Sequence, residues 1–357
     1  MRGLLTLAGE GSRMLPWSRG LRKEFLPLYD RGYGDQPILK PVANLAFETL
    51  ASAGIRDFVL VVGGSDGGAT AQNYFTVDRP FLERNAHRAD RLTDTSRFYQ
   101  ALSESRIRFA LQPTPQGFGD AVLRAAPFLG SEPFLLHAAD AALLERNRGR
   151  LPALMSALRD REELDVVLLV RKVENPRNYG VVEGRLVGRE GEFRRLTVTG
   201  MEEKPEKPKS HWAATAVYCL TPSIFTELKH ARQENPKAEL ELTTGIVRLI
   251  EAGANVGALV IHPRYAEWRS VGSPEGYVRA LLRTRRLVLG KSSFLSPRAP
   301  PGPASVARPA AAPRSGRARR TASPGRAGSE GEALGDVGAW GAPGFTQSSP
   351  AGRVPEG

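Results

Sequence analysis

The chain has 357 residues, 41% hydrophobic and 25% charged, which is the make-up of a globular protein long enough to bury a substantial core. No apolar run approaches the roughly 20 residues that span a bilayer, and the opening MRGLLTLAG is too short for the core of a signal peptide, so a cytoplasmic protein without a membrane partner is expected. The single cysteine, Cys219, excludes an internal disulfide and a cysteine zinc cluster, and nine Lys/Arg against four Asp/Glu from Lys291 onward carry +5 of the net +12.

In chain order, apolar runs suited to buried strands alternate with helical patterns. GLLTLAG, DFVLVVGG, IRFALQ, FLLHAADAALL and DVVLLVRKV read as strands, and LKPVANLAFETLASAG, FYQALSES, DAVLRAAPFLG and LPALMSALRDR as helices. This alternation predicts an α/β fold, a Rossmann-like, mostly parallel sheet with helices on both faces. In such sheets ligands sit outside the carboxyl ends of the strands. From Asn178 the pattern becomes short alternating strands with glycine turns, YGVVEGRLVGREGEFRRLTV, a β-hairpin insertion. WAATAVYCLT is a further strand, LTTGIVRLIEAG a helix and ANVGALVIHP a strand. The last helix is capped by Ser273 with Pro274 at its first position. No internal repeat is present. Residues 289–357 are rich in Pro, Gly, Ala, Ser and Arg and read as a disordered tail. Their arginines lack interleaved aromatics, so nucleic acid is not an expected partner.

The stretch LTLAGEGSRMLPWSRGLRKEFLPLYD places Gly9, Gly11, Ser12 and Arg13 directly after the first strand, with Lys23 ten residues beyond the arginine. A dinucleotide fingerprint needs a small residue where Met14 stands, and a Walker loop needs Gly-Lys-Ser/Thr, which is absent. Two readings remain at this point: an ordinary βα turn, or a loop whose backbone N–H groups face a phosphate while Arg13 and Lys23 add charge.

This stretch resembles the N-terminal signature of the sugar-1-phosphate nucleotidyltransferases. Further blocks follow in the same order: KPVANLAFETLASAGIRDFVLVVGG, LQPTPQGFGDAVLRA, FLLHAAD, NYGVV, MEEKP, ELELTTG and EWRSVGSPEGY. The similarity spans roughly residues 3–285, and the nearest branch looks like the glucose-1-phosphate uridylyl- and thymidylyltransferases. It implies a transfer from a nucleoside triphosphate, UTP or dTTP, to a sugar 1-phosphate with release of pyrophosphate. Residues 1–150 would be the nucleotide-binding half and 151–288 the sugar-binding half of one domain, with a homo-oligomer as a possible state. The resemblance implies a catalytic set of Arg13, Lys23 and Asp140, with Asp140 holding Mg²⁺. Nucleotide contacts would come from Ala8, Gly9, Gly11, Ser12, Gln112 and Gly117. Gln112 would meet the pyrimidine edge, and Gly117 would let the ring lie against the backbone. Tyr179, Gly180, Glu203, Lys204 and Glu241 would hold the sugar phosphate.

The sequence departs from the family pattern at defined places. Ser270 stands where the family's W-x-D-x-G-T carries a second metal-binding Asp, with Glu267 as a nearby acid to fill the gap. Arg22 replaces a proline, and Thr244 an acid. The loss at Ser270 gives the second reading, a nucleotide-sugar-binding or regulatory homologue.

Overall fold

The computed structural model describes residues 1–64 and 66–290; of the tail expected over residues 289–357, Leu289 closes the last helix and the part from Lys291 onward lies outside the described residues. In chain order the elements are β1 (Arg2–Leu7), β2 (Pro27–Arg31), β3 (Pro37–Pro41), α1 (Val42–Ser52), β4 (Asp57–Gly63), α2 (Ala69–Tyr74), α3 (Arg79–Arg84), α4 (Ala89–Ser103), β5 (Arg106–Gln112) and α5 (Phe118–Leu129). There follow β6 (Phe134–Ala138), β7 (Ala141–Glu145), α6 (Arg150–Glu162), β8 (Val166–Lys172), β9 (Gly180–Glu190), β10 (Phe193–Glu203), β11 (Trp212–Leu220), α7 (Ser223–Glu234), α8 (Leu242–Glu251), β12 (Val256–Val260), β13 (Ala266–Ser270) and α9 (Pro274–Leu289).

Nine strands form one sheet in the order β5-β4-β1-β6-β11-β8-β12-β10-β9. β5, β4, β1 and β6 are parallel, as are β8 and β12. β11 runs antiparallel to both β6 and β8, and β10 to both β12 and β9. The sheet is therefore mixed, which corrects the expectation of a mostly parallel one beyond β6. The hairpin is the sheet's edge rather than an insertion outside it. β9 and β10 are joined by Gly191 and Glu192 alone, a link too short for the crossover that a parallel pair requires.

Helices do cover both faces. Because strand side chains alternate sides, Leu4, Val59, Phe134, Leu136 and Leu168 face one core with residues of α5, α7 and α8, while Leu5, Phe58, Leu60, Leu135 and Leu169 face the other with α1, α4 and α6. The run FLLHAADAALL, read as one strand, divides at Asp140. β6 stays in the main sheet, and β7 leaves it to pair antiparallel with β13, with Ser270 opposite Ala141. A third apolar cluster packs α9 against this region and β2. Ser273 Oγ accepts the Gly276 N–H at 3.1 Å, the N-cap expected from the sequence, and Pro274 opens the helix, which runs through Leu289.

A four-charge cluster ties the β2–β3 hairpin to α1 and to the loop after β7. Lys40 Nζ lies 3.0 Å from Asp30 and 2.6 Å from Glu48, and Arg148 bonds both carboxylates, at 2.7 Å to Asp30. Lys40 and Asp30 are buried. Removing one member leaves the others short of a buried counter-charge, so Lys40→Met should destabilise the fold by about 3 kcal/mol. Urea unfolding measures this; a midpoint shift worth less than about 0.5 kcal/mol at unchanged slope would show that the cluster does not bear on stability.

Candidate active site

A cleft of about 1500 Å³ opens at the carboxyl ends of β1, β5, β6 and β8. Its lining includes Ala8, Gly9, Gly11, Ser12, Arg13, Lys23, Gln112, Gly117, Asp140, Tyr179, Gly180, Glu203 and Glu241. Lys204 is the one residue of the expected set that falls outside the lining. It sits at the rim, its side chain 58% exposed, and reaches Glu203 at 3.3 Å and Glu241 at 3.5 Å.

At one end, the chain leaving β1 turns through Gly11, whose φ of 67° is left-handed, into a short 3₁₀ turn at Ser12–Met14. The Lys23 side chain lies over this loop. A Cβ at Gly9 would stand 3.2 Å from Lys23 Nζ, and one at Gly11 3.3 Å from Lys23 Cδ. The two glycines thus make room for the lysine as well as baring the backbone. Lys23 Nζ pairs with Asp140 Oδ2 at 2.7 Å. Asp140 is positioned by the strand break, because the Ala139 N–H bonds Thr6 O at 3.1 Å and the Asp140 carbonyl accepts the Val271 N–H at 2.9 Å. Arg22, where the family has proline, anchors the loop from behind: its guanidinium donates to Leu7 O and, at 2.6 Å, to Gly63 O, the last residues of β1 and β4.

The electrostatics follow from this packing. Burial works against the Asp140 charge, but the Lys23 ammonium, by charge and hydrogen bond, and Arg13 hold the carboxyl below the usual carboxylate range. Burial also works against Lys23, and Asp140 and Glu24 outweigh it, so the ammonium stays charged. Glu24 is the exception. Burial pushes it up to about 7 against the pull of Lys23 and Arg22. An ammonium held by Asp140, the Arg13 guanidinium beside it, a stably ionised carboxylate and the backbone of a glycine loop together suit a polyphosphate.

At the far end, Glu203 accepts Thr243 Oγ1–H at 2.8 Å. A Cβ at Gly180 would stand 3.1 Å from Glu203 Oε2 and 3.3 Å from Thr243 Oγ1, so glycine lets these groups close on the cleft. Burial and the neighbouring Glu203 raise the Glu241 carboxyl, with Lys204 opposing. Lys204 has φ 46°, a strained conformation for a lysine, and its N–H bonds Tyr179 O at 3.0 Å. Carboxylates and a hydroxyl around a partly apolar wall are the groups that bind sugar hydroxyls.

Among the described residues no group of three His, Cys, Asp or Glu could hold a metal ion. Asp140 Oδ2, Ser270 Oγ and Arg13 Nη2 converge within 3.3 to 3.6 Å of the space a Cβ would take on Gly272. One carboxylate beside a hydroxyl fits an ion that keeps water and takes ligands from phosphates, as Mg²⁺ does, and does not fit an all-protein cage. Glu267 does not fill the gap left at Ser270. Its carboxylate is committed to Arg283 and Arg269, which hold it below the usual carboxylate range against the effect of burial.

The structure adds residues that motif reading passed over. Arg171, at the end of β8, donates to the Tyr179 hydroxyl at 3.0 Å and lies between the Tyr179 and Trp268 rings at 5.2 and 5.1 Å. Its place at the carboxyl end of a buried strand was the available signal. Glu24 and Thr243 had no such signal. Gly117 has a packing reason of its own: the Cβ it lacks would run into the Leu240 carbonyl, so close chain packing demands the glycine.

The Nucleotidyl transferase family matches residues 2–286. The chain is 29% identical over 289 residues, 81% of its length, to a glucose-1-phosphate thymidylyltransferase of Streptomyces antibioticus, of which it spans 66%. It is 27% identical over 281 residues, 78% of its length, to a putative UTP–glucose-1-phosphate uridylyltransferase of Bacillus subtilis, of which it spans 95%. The fold matches a UDP-glucose pyrophosphorylase complexed with UDP-glucose with a TM-score of 0.66 at 23% identity, over 80% of this chain and 98% of that one. Among the described residues no helix is long and apolar enough to cross a membrane. A glycine loop under a lysine-carboxylate pair, at the strand ends of a sheet of this fold, and a family match across nearly all the described residues lead to one assignment: the chain belongs to the nucleotidyl transferase family, as a sugar-1-phosphate nucleotidyltransferase.

Proposed function

We propose that the protein joins UTP or dTTP to a sugar 1-phosphate, glucose 1-phosphate in the first instance, giving a nucleoside diphosphate sugar and pyrophosphate in the cytoplasm. The observation that carries this is the single cleft in which a cationic glycine loop and a carboxylate-lined pocket face a common space. The names of the relatives support the substrate classes.

In this reading Gly9 and Gly11 offer backbone N–H groups to the triphosphate, and Arg13 and Lys23 neutralise it. Glu203 and Glu241 accept hydrogen bonds from sugar hydroxyls, and Lys204 meets the sugar phosphate. One oxygen of that phosphate attacks the α-phosphorus. A new P–O bond forms as the bond to the β-phosphate oxygen breaks in line, and the electron pair leaves with pyrophosphate. The nucleophile is already an anion, so no general base is required; the protein supplies position and charge. Mg²⁺, held by Asp140, would offset charge on the phosphates when bound. Domain halves at 1–150 and 151–288 follow from the same reading, although Ser270, from the second half, lies beside Asp140.

Pyrophosphate release, measured across UTP, dTTP, CTP, ATP and GTP with glucose 1-phosphate and related sugar phosphates, tests the activity. Asp140→Asn should lower kcat by about 100-fold or more with little change in melting temperature; a folded variant with wild-type turnover removes Asp140 from the mechanism. Ser270→Asp adds a carboxylate beside Asp140 and should lower the Mg²⁺ concentration for half-maximal activity. An unchanged requirement would show that Ser270 lies outside the ion's reach. If neither wild type nor Ser270→Asp turns over while nucleotide still binds, the regulatory reading replaces the enzymatic one.

A further inference from the structure

Gln112, which ends β5, is 3% exposed and reaches the cleft. Its Nε2 donates to Gly117 O at 3.2 Å and to Asp120 Oδ2 at 2.8 Å. A primary amide has two N–H hydrogens and one oxygen. Both hydrogens are directed into the protein, so the group Gln112 has left to offer a ligand is Oε1, an acceptor.

Asp120 fixes that sense. It lies in the first turn of α5, 2% exposed. Its Oδ2 also receives Arg124 Nε at 3.4 Å, and its Oδ1 receives Arg232 Nη2 at 3.3 Å. Between two guanidinium groups it is a carboxylate with acceptors only. Turning the Gln112 amide over would set Oε1 against Asp120 with no hydrogen between two buried acceptors, and such unpaired groups are costly. Arg232 is itself immobilised, donating to Pro236 O at 3.1 Å, Ala238 O at 3.0 Å and Gln116 O at 3.2 Å. It thereby ties the segment before α5 to the one after α7 with Asp120 at the junction.

We propose that Asp120 is a positioning residue for base selection: by locking Gln112 as an acceptor it admits a pyrimidine with a protonated ring nitrogen at position 3, as in uracil and thymine, and rejects one with a lone pair there, as in cytosine. This rests on the reading of the cleft as a nucleoside triphosphate site. Specificity arises because the wrong base leaves two acceptors facing each other, and a site built this way discriminates more strongly than shape alone. The lock is not visible at the base contact itself; it is one residue removed, in a carboxylate that does not line the cleft.

Calorimetric binding of UTP, dTTP, CTP and 3-methyluridine triphosphate to the full chain tests it. UTP and dTTP should bind alike, while CTP and the 3-methyl analogue, which lacks the N3 hydrogen, should bind about 10- to 100-fold more weakly. Asp120→Asn can face Gln112 with either atom of its amide and so weakens the lock, leaving the longer bond to Gly117 O as the one acceptor of the pair that still opposes a flip. The gap between UTP and CTP should narrow several-fold while the ratio of UTP to dTTP stays fixed, a change that general loosening of the site would not single out. Asp120→Glu keeps an acceptor and should retain most of the gap. Equal binding of UTP, CTP and the 3-methyl analogue by wild type overturns the proposal without any variant, as does a folded Asp120→Asn with the full wild-type gap. Failure of all four triphosphates to bind overturns the nucleotide reading and this proposal with it, whereas equal binding overturns the proposal alone.

Discussion

The interaction on which the site depends is the 2.7 Å pair between Lys23 and Asp140. It joins the loop after β1 to the break between β6 and β7, segments 117 residues apart in the chain. Each charge would be costly alone in so enclosed a place, and together they settle what surrounds them. At Gly9 and Gly11 a side chain would crowd the lysine that crosses them, and Gly11 also has a left-handed φ. Arg22 reaches back to the carbonyl ends of β1 and β4 and so anchors the loop that carries Lys23. A polyphosphate entering here finds an ammonium already aimed and already held in its charged form, so little reorganisation is needed.

The rest of the architecture brings a second set of groups to that pair. Parallel strands deliver loop after loop to one edge of the sheet, which is why Ala8, Gln112, Asp140 and Arg171 meet although they come from four strands. The antiparallel strands do something else. β10 ends in Glu203, and the segment that follows carries the strained Lys204 against Tyr179. β13 pairs with β7 and so sets Ser270 beside Asp140. The charges at the two ends differ in kind. Lys23 and Arg13 face the cleft where phosphate charge would gather, while Glu203 and Glu241 crowd one another, and burial together with Glu203 raises the Glu241 carboxyl against the pull of Lys204.

Local patterns made much of this legible. Alternating apolar runs and helical periods gave away the α/β layers, and Ser273-Pro274 marked a helix start that is there. The glycine loop and Asp140 were readable because each follows directly on an apolar strand, where the fold puts its ligands. The direction of β11 and β10 was not, since strand polarity depends on which segments pair across the sheet. The break in FLLHAADAALL was hidden because both halves are equally apolar. Glu24, Thr243 and the engagement of Glu267 by two arginines are tertiary facts that spacing does not encode. Gly117 shows the limit most clearly: the residue was noticed, but the Leu240 backbone that requires it lies far along the chain.

In the proposed function, Lys23, held by Asp140, meets the outer phosphates of a nucleotide. Comparing the affinities of uridine triphosphate and uridine monophosphate for wild type and Lys23→Gln tests it most directly. The triphosphate should lose about tenfold or more in the variant and the monophosphate little, since a charge-assisted contact to the outer phosphates is missing only for the former. Equal losses for both nucleotides, or no loss for either, would contradict the claim.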